Sequence, residues 1–265
     1  MPFNVIVIAR EVWDTRDLVG SPLDDSGAVK KSSLATRYEP EDLNALEMAL
    51  RIKDASGGKV TVLSIGAAGP LDAPREALYR GADAAIRVDV NRDEVDTQAS
   101  AKLLAAAIGK IGAFDLVLAG VNISEGENSM LGSHIAALLG IEQVSLVDAI
   151  DKIGDGVVVG KRAIEMGYEY IEAKLPALLS VGVALVADDP RTPRSAKAML
   201  KLKHKKTDIP AWKPADLGIA DIAAIRTTTI SKHWKIEEQK IQSLEVDPES
   251  ESALKSMLDA VLKGG

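Results

Sequence analysis

The chemistry-bearing residues of this sequence gather in one loop, Gly120-Val-Asn-Ile-Ser-Glu-Gly-Glu-Asn-Ser-Met-Leu-Gly132. Gly120, Gly126 and Gly132 let backbone approach closely, because no Cβ stands in the way. A helical pattern through Ala136 and Leu139 starts directly after them. The first turn of a helix carries N–H groups without intrahelical partners, so loop and helix together could cradle a phosphate. Asn122, Asn128 and Ser129 add neutral hydrogen-bonding groups, and Val121, Ile123, Ser124, Met130 and Leu131 complete the loop. Glu125 and Glu127 would repel a phosphate and suit ribose hydroxyls better. The order matches neither a Walker loop nor a dinucleotide GxGxxG. An ordinary strand-to-helix turn would carry the same glycines.

Elsewhere the inventory excludes more than it offers. The chain has no cysteine, which removes disulfides, thiolate metal sites and cysteine nucleophiles together. His134, His204 and His233 are its only histidines and lie far apart, so a histidine metal site is not expected. A basic segment runs from Arg191 and Arg194 through Lys197, Lys201, Lys203, Lys205 and Lys206, around Met199 and Leu200. No aromatic residue interleaves there to stack on bases, and the whole 265-residue chain carries a net charge of −7. Both weigh against nucleic acid. The plain reading is a solvated helix face.

The elements that must position these groups alternate. Asn4-Val-Ile-Val-Ile-Ala9 reads as a buried strand, and residues 10–38 as a long loop or small hairpin. Leu43, Leu46 and Leu50 share a helix face from Pro40 to Ile52, closed by Gly57-Gly58. Strands follow at Lys59–Ile65, Ala84–Val88 and Asp115–Ala119, with helical patterns over 71–80 and 97–111 between them. This β-α-β-α-β-α-β order predicts a parallel sheet with helices on both faces. Such sheets bind ligands beyond the carboxyl ends of their strands. The rhythm changes after about residue 145, with strands at Val157–Val159 and Ala177–Leu185 and a detached amphipathic helix from about 249 to 262. The N-terminus shows no leader pattern, and no segment has the length of a membrane span. A cytoplasmic bacterial or archaeal protein is the expectation.

These segments, taken in order, resemble the beta subunit of electron-transfer flavoproteins. The family's loop looks like G-x-Q-x-x-D-[GD]-D-x-x-Q-x-G. This chain keeps Gly120 and Gly132 at that spacing, has Glu125 and Glu127 at the two acid positions, and carries Asn122 and Met130 for the glutamines. Gly126 is similar to the flavin-binding, electron-bifurcating branch, whereas AMP-binding branches carry an acid or Asn there. Val12-Trp-Asp-Thr15 resembles V-P-D-T, and Glu39-Pro-Glu-Asp-Leu-Asn-Ala-Leu-Glu47 resembles N-P-x-D-x-N-A-L-E. Gly160-Lys-Arg-Ala-Ile-Glu-Met-Gly-Tyr-Glu-Tyr-Ile171, with Leu175-Pro-Ala-Leu-Leu-Ser180, follows the family signature apart from Met166. Lys213-Pro-Ala-Asp-Leu-Gly-Ile219 resembles its later A-D-L-G.

The resemblance implies a Rossmann-like, doubly wound α/β domain over residues 1–220 and a C-terminal arm over 221–265 that packs on an alpha subunit. It implies a heterodimer that shares one FAD at the junction and keeps a second nucleotide, AMP or another FAD, inside this chain. That nucleotide would meet Ile8, Thr15, Glu39, Pro40, Glu41, Asp42, Ile65, Gly66 and the loop from Gly120 to Gly132. Thr15 and Arg16 fall where the family approaches the flavin ring, and Glu165 where an acid pairs with a partner arginine. Arg191, Arg194, Ser195 and Lys197 would dock an acyl-CoA or other dehydrogenase, or a quinone reductase. No general base or nucleophile is expected, because the cofactor carries the chemistry. Tyr168, Tyr170, Trp13 and Trp212 read as packing residues. The alternative is a free-standing, universal stress-like adenine-nucleotide module. Its G-x-x-G-x(9)-G-[ST] loop is absent.

Overall fold

The structure, a computed structural model, describes residues 2–14, 16, 30, 35–69, 71–91, 94–121, 129–182, 194–227 and 250–263. In chain order it opens with β1 (Phe3–Ala9), β2 (Glu11–Trp13), β3 (Thr36–Tyr38), α1 (Pro40–Ser56), β4 (Gly58–Ile65) and α2 (Ala73–Arg80). Then come β5 (Ala84–Val88), α3 (Thr97–Ile111), β6 (Leu116–Gly120), α4 (Leu131–Leu139) and β7 (Glu142–Val147). It continues through β8 (Ala149–Gly154), β9 (Val157–Ile164), β10 (Gly167–Lys174), β11 (Ala177–Val181), α5 (Ala198–His204), β12 (Ala211–Trp212) and α6 (Glu251–Lys263).

Among the described residues the main sheet has the order β12-β5-β4-β1-β6-β11-β7. Each of its pairings is parallel. The alternating order requires this, since parallel neighbours need crossover connections. β1 shows why its sequence is apolar without a break from Val5 to Ala9. Val5, Val7 and Ala9 enter a core with Leu46 and Leu50 of α1 and Leu78 of α2. Ile6 and Ile8 enter a second core with Leu103, Leu104 and Ile108 of α3 and Ile135 of α4. The two-residue period of a strand makes that division, and a sheet covered on both faces needs apolar residues at every position. Full burial of each Leu or Ile contributes on the order of 1.5–3 kcal/mol.

Pro40 opens α1 where no intrahelical donor is needed, and Gly57 closes it at φ 77°. Residues 10–38 supply the antiparallel ribbon of β2 and β3. β7 went unread in the sequence for a local reason. Leu146 sits at φ 58°, and the register against β11 shifts beside it, which breaks the alternation that marks a strand. Beyond it, β8, β9 and β10 form a separate antiparallel sheet.

The described residues fall into two compact units. The first includes the sheets and runs past residue 220, because residues 213–227 are strapped to α3. Lys110 Nζ donates to the Asp216 carbonyl at 3.1 Å and Lys102 Nζ to the Ile225 carbonyl at 3.1 Å. Thr227 donates its N–H and hydroxyl to Asp96 Oδ2 at 2.6 and 2.5 Å. In the second unit α6 places Leu254, Leu258 and Val261 on one exposed stripe.

Candidate functional site

The carboxyl ends of β1, β4, β6 and β11 share an edge with the N-termini of α1 and α4, as parallel strand-helix units require. One carboxylate organises that edge. Arg10, just past β1, donates its backbone N–H and its Nε to Asp42 Oδ2, and its Nη2 to Oδ1, each at 2.8 Å. The N–H of Gly120 also reaches Oδ1 at 2.8 Å, and Arg10 Nη2 donates to the Gly120 carbonyl at 3.3 Å. β1, α1 and β6 are thereby tied through Asp42. The pair is almost wholly desolvated, with side-chain exposures of 6% and 0%, so it holds only because its hydrogen bonds are satisfied. Burial alone would push the Arg10 guanidinium down. The carboxylates of Asp42, Glu39 and Glu41 more than reverse this, and the cation is held above its ordinary value.

The outer glycines of the loop serve the protein's own packing. A Cβ on Gly120 would stand 2.7 Å from Asp42 Oδ1 and 2.7 Å from the Glu41 Cβ. A Cβ on Gly132 would stand 2.8 Å from Ser180 Oγ and 3.2 Å from Leu178. Glycine at these positions lets α1 crowd β6 and lets α4 crowd β11. The close approach expected toward a ligand is, at both, an approach of protein to protein.

The residues expected at the site divide into three groups. Pro40, Ile65 and Val121 are half-buried and Ser129 and Met130 exposed at the edge, with Gly66, Gly120, Leu131 and Gly132 buried beside them. Glu39 and Glu41 are buried on the first turn of α1 and its entry. Two further residues lie deeper. Ile8 has no accessible surface and lies in the core under α3 and α4. Asp42 has none either, and both its oxygens are engaged inside the protein. These two support the edge from beneath and offer it no exposed atom. Thr15, Asn122, Ile123, Ser124, Glu125, Gly126, Glu127 and Asn128 lie outside the described residues.

The two helix starts differ in charge. α4 has no acid in its first turn and no side-chain cap, which suits an anion. α1 begins with Glu39 and Glu41, which suits hydroxyl donors. A nucleotide, anionic at one end and hydroxylated at the other, fits that polarity. Among the described residues no group of three His, Asp or Glu is placed to hold a metal.

The basic segment also differs from its sequence reading. Arg194 is not a free steering charge. Its Nε and Nη2 donate to Glu47 at 2.9 and 3.1 Å, and its Nη1 to Asp54 at 2.9 Å. It anchors the segment to α1. Ser195 and Lys197 are exposed, as are Lys201, Lys203, Lys205 and Lys206. Arg191 lies outside the described residues. On the β9–β10 hairpin Glu165 sits exposed at the turn. Tyr168 and Tyr170, expected to pack, stand 48% and 57% exposed, with Lys161 Nζ 4.0 and 5.7 Å from their ring centres. Trp212 does pack on the sheet's second core, under Lys110. Glu47, Arg75 and Arg80 escaped the sequence reading, since lone charges on helix patterns look solvated. The i, i+4 pairs Glu47–Arg51 and Glu76–Arg80 and the i, i+3 pair Asp72–Arg75 were the local signals for ion-paired faces.

Comparison with known proteins agrees with this geometry. Residues 27–217 match the electron transfer flavoprotein domain. The chain is 38% identical to an electron transfer flavoprotein subunit beta of Thermoanaerobacterium thermosaccharolyticum over 204 residues, covering 77% of this chain and 76% of that one. It is 35% identical over 219 residues to CarD, a subunit of the caffeyl-CoA reductase-Etf complex of Acetobacterium woodii, covering 82% and 80%. Protein FixA of Azorhizobium caulinodans is 31% identical over 228 residues, covering 83% and 78%. A parallel sheet with one edge organised by Asp42, and relatives that agree along most of both chains, lead to one conclusion: the chain belongs to the electron transfer flavoprotein family, as a beta-type subunit of the FixA-like branch, and its function is electron transfer.

Proposed function

We propose that this chain is the nucleotide-holding half of a heterodimer that carries electrons between a flavoprotein dehydrogenase and a further acceptor, with FAD shared at the junction with an alpha subunit. The observation that carries the reading is the convergence of β1, α1 and β6 on Asp42, at the edge where the uncapped start of α4 also lies. A bound flavin would supply the electron chemistry. The chain's own part is to bind and orient. N–H groups at the start of α4 meet phosphate, while Glu39 and Glu41 accept from sugar hydroxyls. Gly126 gives a second nucleotide, AMP or FAD, room against backbone. The name of CarD, a subunit of a caffeyl-CoA reductase-Etf complex, favours a partner of that chemistry. α5, with exposed Met199 and Leu202 among lysines, is the docking face for such a partner.

The test is cofactor content of the heterodimer, co-expressed with its alpha subunit and extracted with acid. The parent should release FAD together with a second nucleotide, whose identity separates AMP from FAD. Gly126→Leu should lose about one equivalent of nucleotide while the shared FAD stays, because a side chain fills the space that glycine leaves. Unchanged content in both would reduce the loop to a plain strand-to-helix turn.

A further inference from the structure

α5 spans Ala198–His204 and buries none of its residues. Isolated helices shorter than about 12–15 residues are marginal in water. Lys197, Lys201 and Lys205, four residues apart, repel one another along it. Its residues are good helix formers, but a helix this short with no fully buried residue needs support from outside it. Two arginines of α2 reach across to its backbone. Arg75 Nη1 donates to the carbonyls of His204, Lys205 and Thr207 at 2.9, 3.3 and 3.0 Å. These close the carboxyl end of α5. Arg80 Nη1 donates to the Arg194 carbonyl at 2.6 Å, and the Lys197 N–H donates to the Tyr79 carbonyl at 2.9 Å. These fix the approach to its amino end.

Each guanidinium is itself held by an acid of α2 or its cap. Asp72 takes Arg75 at 2.8 Å and Glu76 takes Arg80 at 3.0 Å. The second oxygen of Asp72 takes Arg87 of β5 at 2.5 Å, which roots the assembly in the main sheet. A guanidinium presents several donors in a rigid fork, so it can gather neighbouring carbonyls as a lysine cannot.

We propose that Arg75 and Arg80 are positioning residues of the docking face, holding α5 so that Met199 and Leu202 present a preformed apolar anchor within a lysine ring to an acidic partner protein. Met199 and Leu202 are 77% and 75% exposed and three residues apart, so one helix face carries both. A surface ordered before contact avoids the cost of ordering during it. This inference rests on the reading of α5 as the docking face.

Two measurements on the heterodimer separate the inference from that reading. The first is amide hydrogen exchange over residues 198–207. Arg75→Gln and Arg80→Gln, singly and together, should speed exchange there by about tenfold or more, as loss of charge-assisted hydrogen bonds implies, and leave β1 and α1 unchanged. The second is electron delivery from a purified acidic CoA-thioester dehydrogenase or reductase that reduces the parent heterodimer. The arginine variants should raise its half-saturating concentration while the maximal rate and flavin content hold. Lys201→Glu with Lys203→Glu should leave exchange alone but raise the same concentration, most at low salt. If the lysine reversal has no effect at any salt, the docking reading fails. If it acts while the arginine variants alter neither exchange nor half-saturation, or exchange alone, the positioning role fails. Flavin loss in both single variants would overturn it as well, since the arginines would then serve the fold at large.

Discussion

Asp42 commits both of its carboxylate oxygens to groups inside the protein, and that decides how it responds to substitution. Asn in its place preserves shape, but leaves Arg10 buried without its bidentate acceptor. Removing one partner of a buried, hydrogen-bonded ion pair typically costs about 3–5 kcal/mol. Asp42→Asn should therefore lower the unfolding free energy of the heterodimer by that amount, read as a fall in the urea midpoint at an unaltered slope. A midpoint equal to the parent's would show that Glu39 and Glu41 suffice to hold the Arg10 cation. From the sequence, an acid in the first turn of a helix suggests a ligand contact or a partner for the helix dipole. Only the fold places Gly120 directly above it.

At the scale of elements, the segment entering α5 depends on Glu47 as much as on α2. Burial would raise the Glu47 carboxyl, but hydrogen bonds from Arg194, with further help from Arg51, outweigh it and hold the group below its ordinary 4.5. A carboxyl depressed in the folded state stabilises at pH values above the unfolded pKa, and the contribution is lost as pH falls through the folded one. The stability difference between parent and Glu47→Gln should therefore be full above about pH 5 and shrink steadily below about pH 4.5. Unfolding of both proteins across a pH series measures it. A difference that persists undiminished at pH 2 would mean that shape, not charge, anchors Arg194. The contact joins residues 147 positions apart, beyond anything that helical periodicity reports.

For the molecule as a whole, an acidic chain displays a local basic face on α5 and an apolar stripe on α6. Leu254, Leu258 and Val261 remain 37%, 55% and 68% exposed. We expect the alpha subunit to cover them. Burying even one such side chain is worth roughly 1.5–3 kcal/mol. Deleting residues 248–265 should accordingly weaken the heterodimer by at least about tenfold, read as the dissociation constant from sedimentation at several concentrations. Equal affinity of the truncated chain would assign the stripe to something other than the alpha subunit.

The sequence alone determined the layered architecture. Unbroken apolar runs such as Val5–Ala9, alternating with leucine-spaced helices, have no other economical burial than a parallel sheet covered on both faces. It also carried the family resemblance, through segments in order from the first strand to Ile219. What it could not hold was the identity of partners distant in the chain. Arg10 meets Asp42, Gly120 lies against both, Arg194 reaches Glu47, and Arg75 caps α5. Such contacts depend on how strands register and helices settle after the core has formed. A charged residue written on a helix face looks the same whether it meets water or a carbonyl from another element. Tertiary structure decided which charges stay exposed, which ones clamp, and that Gly120 and Gly132 are glycines for the protein's own packing.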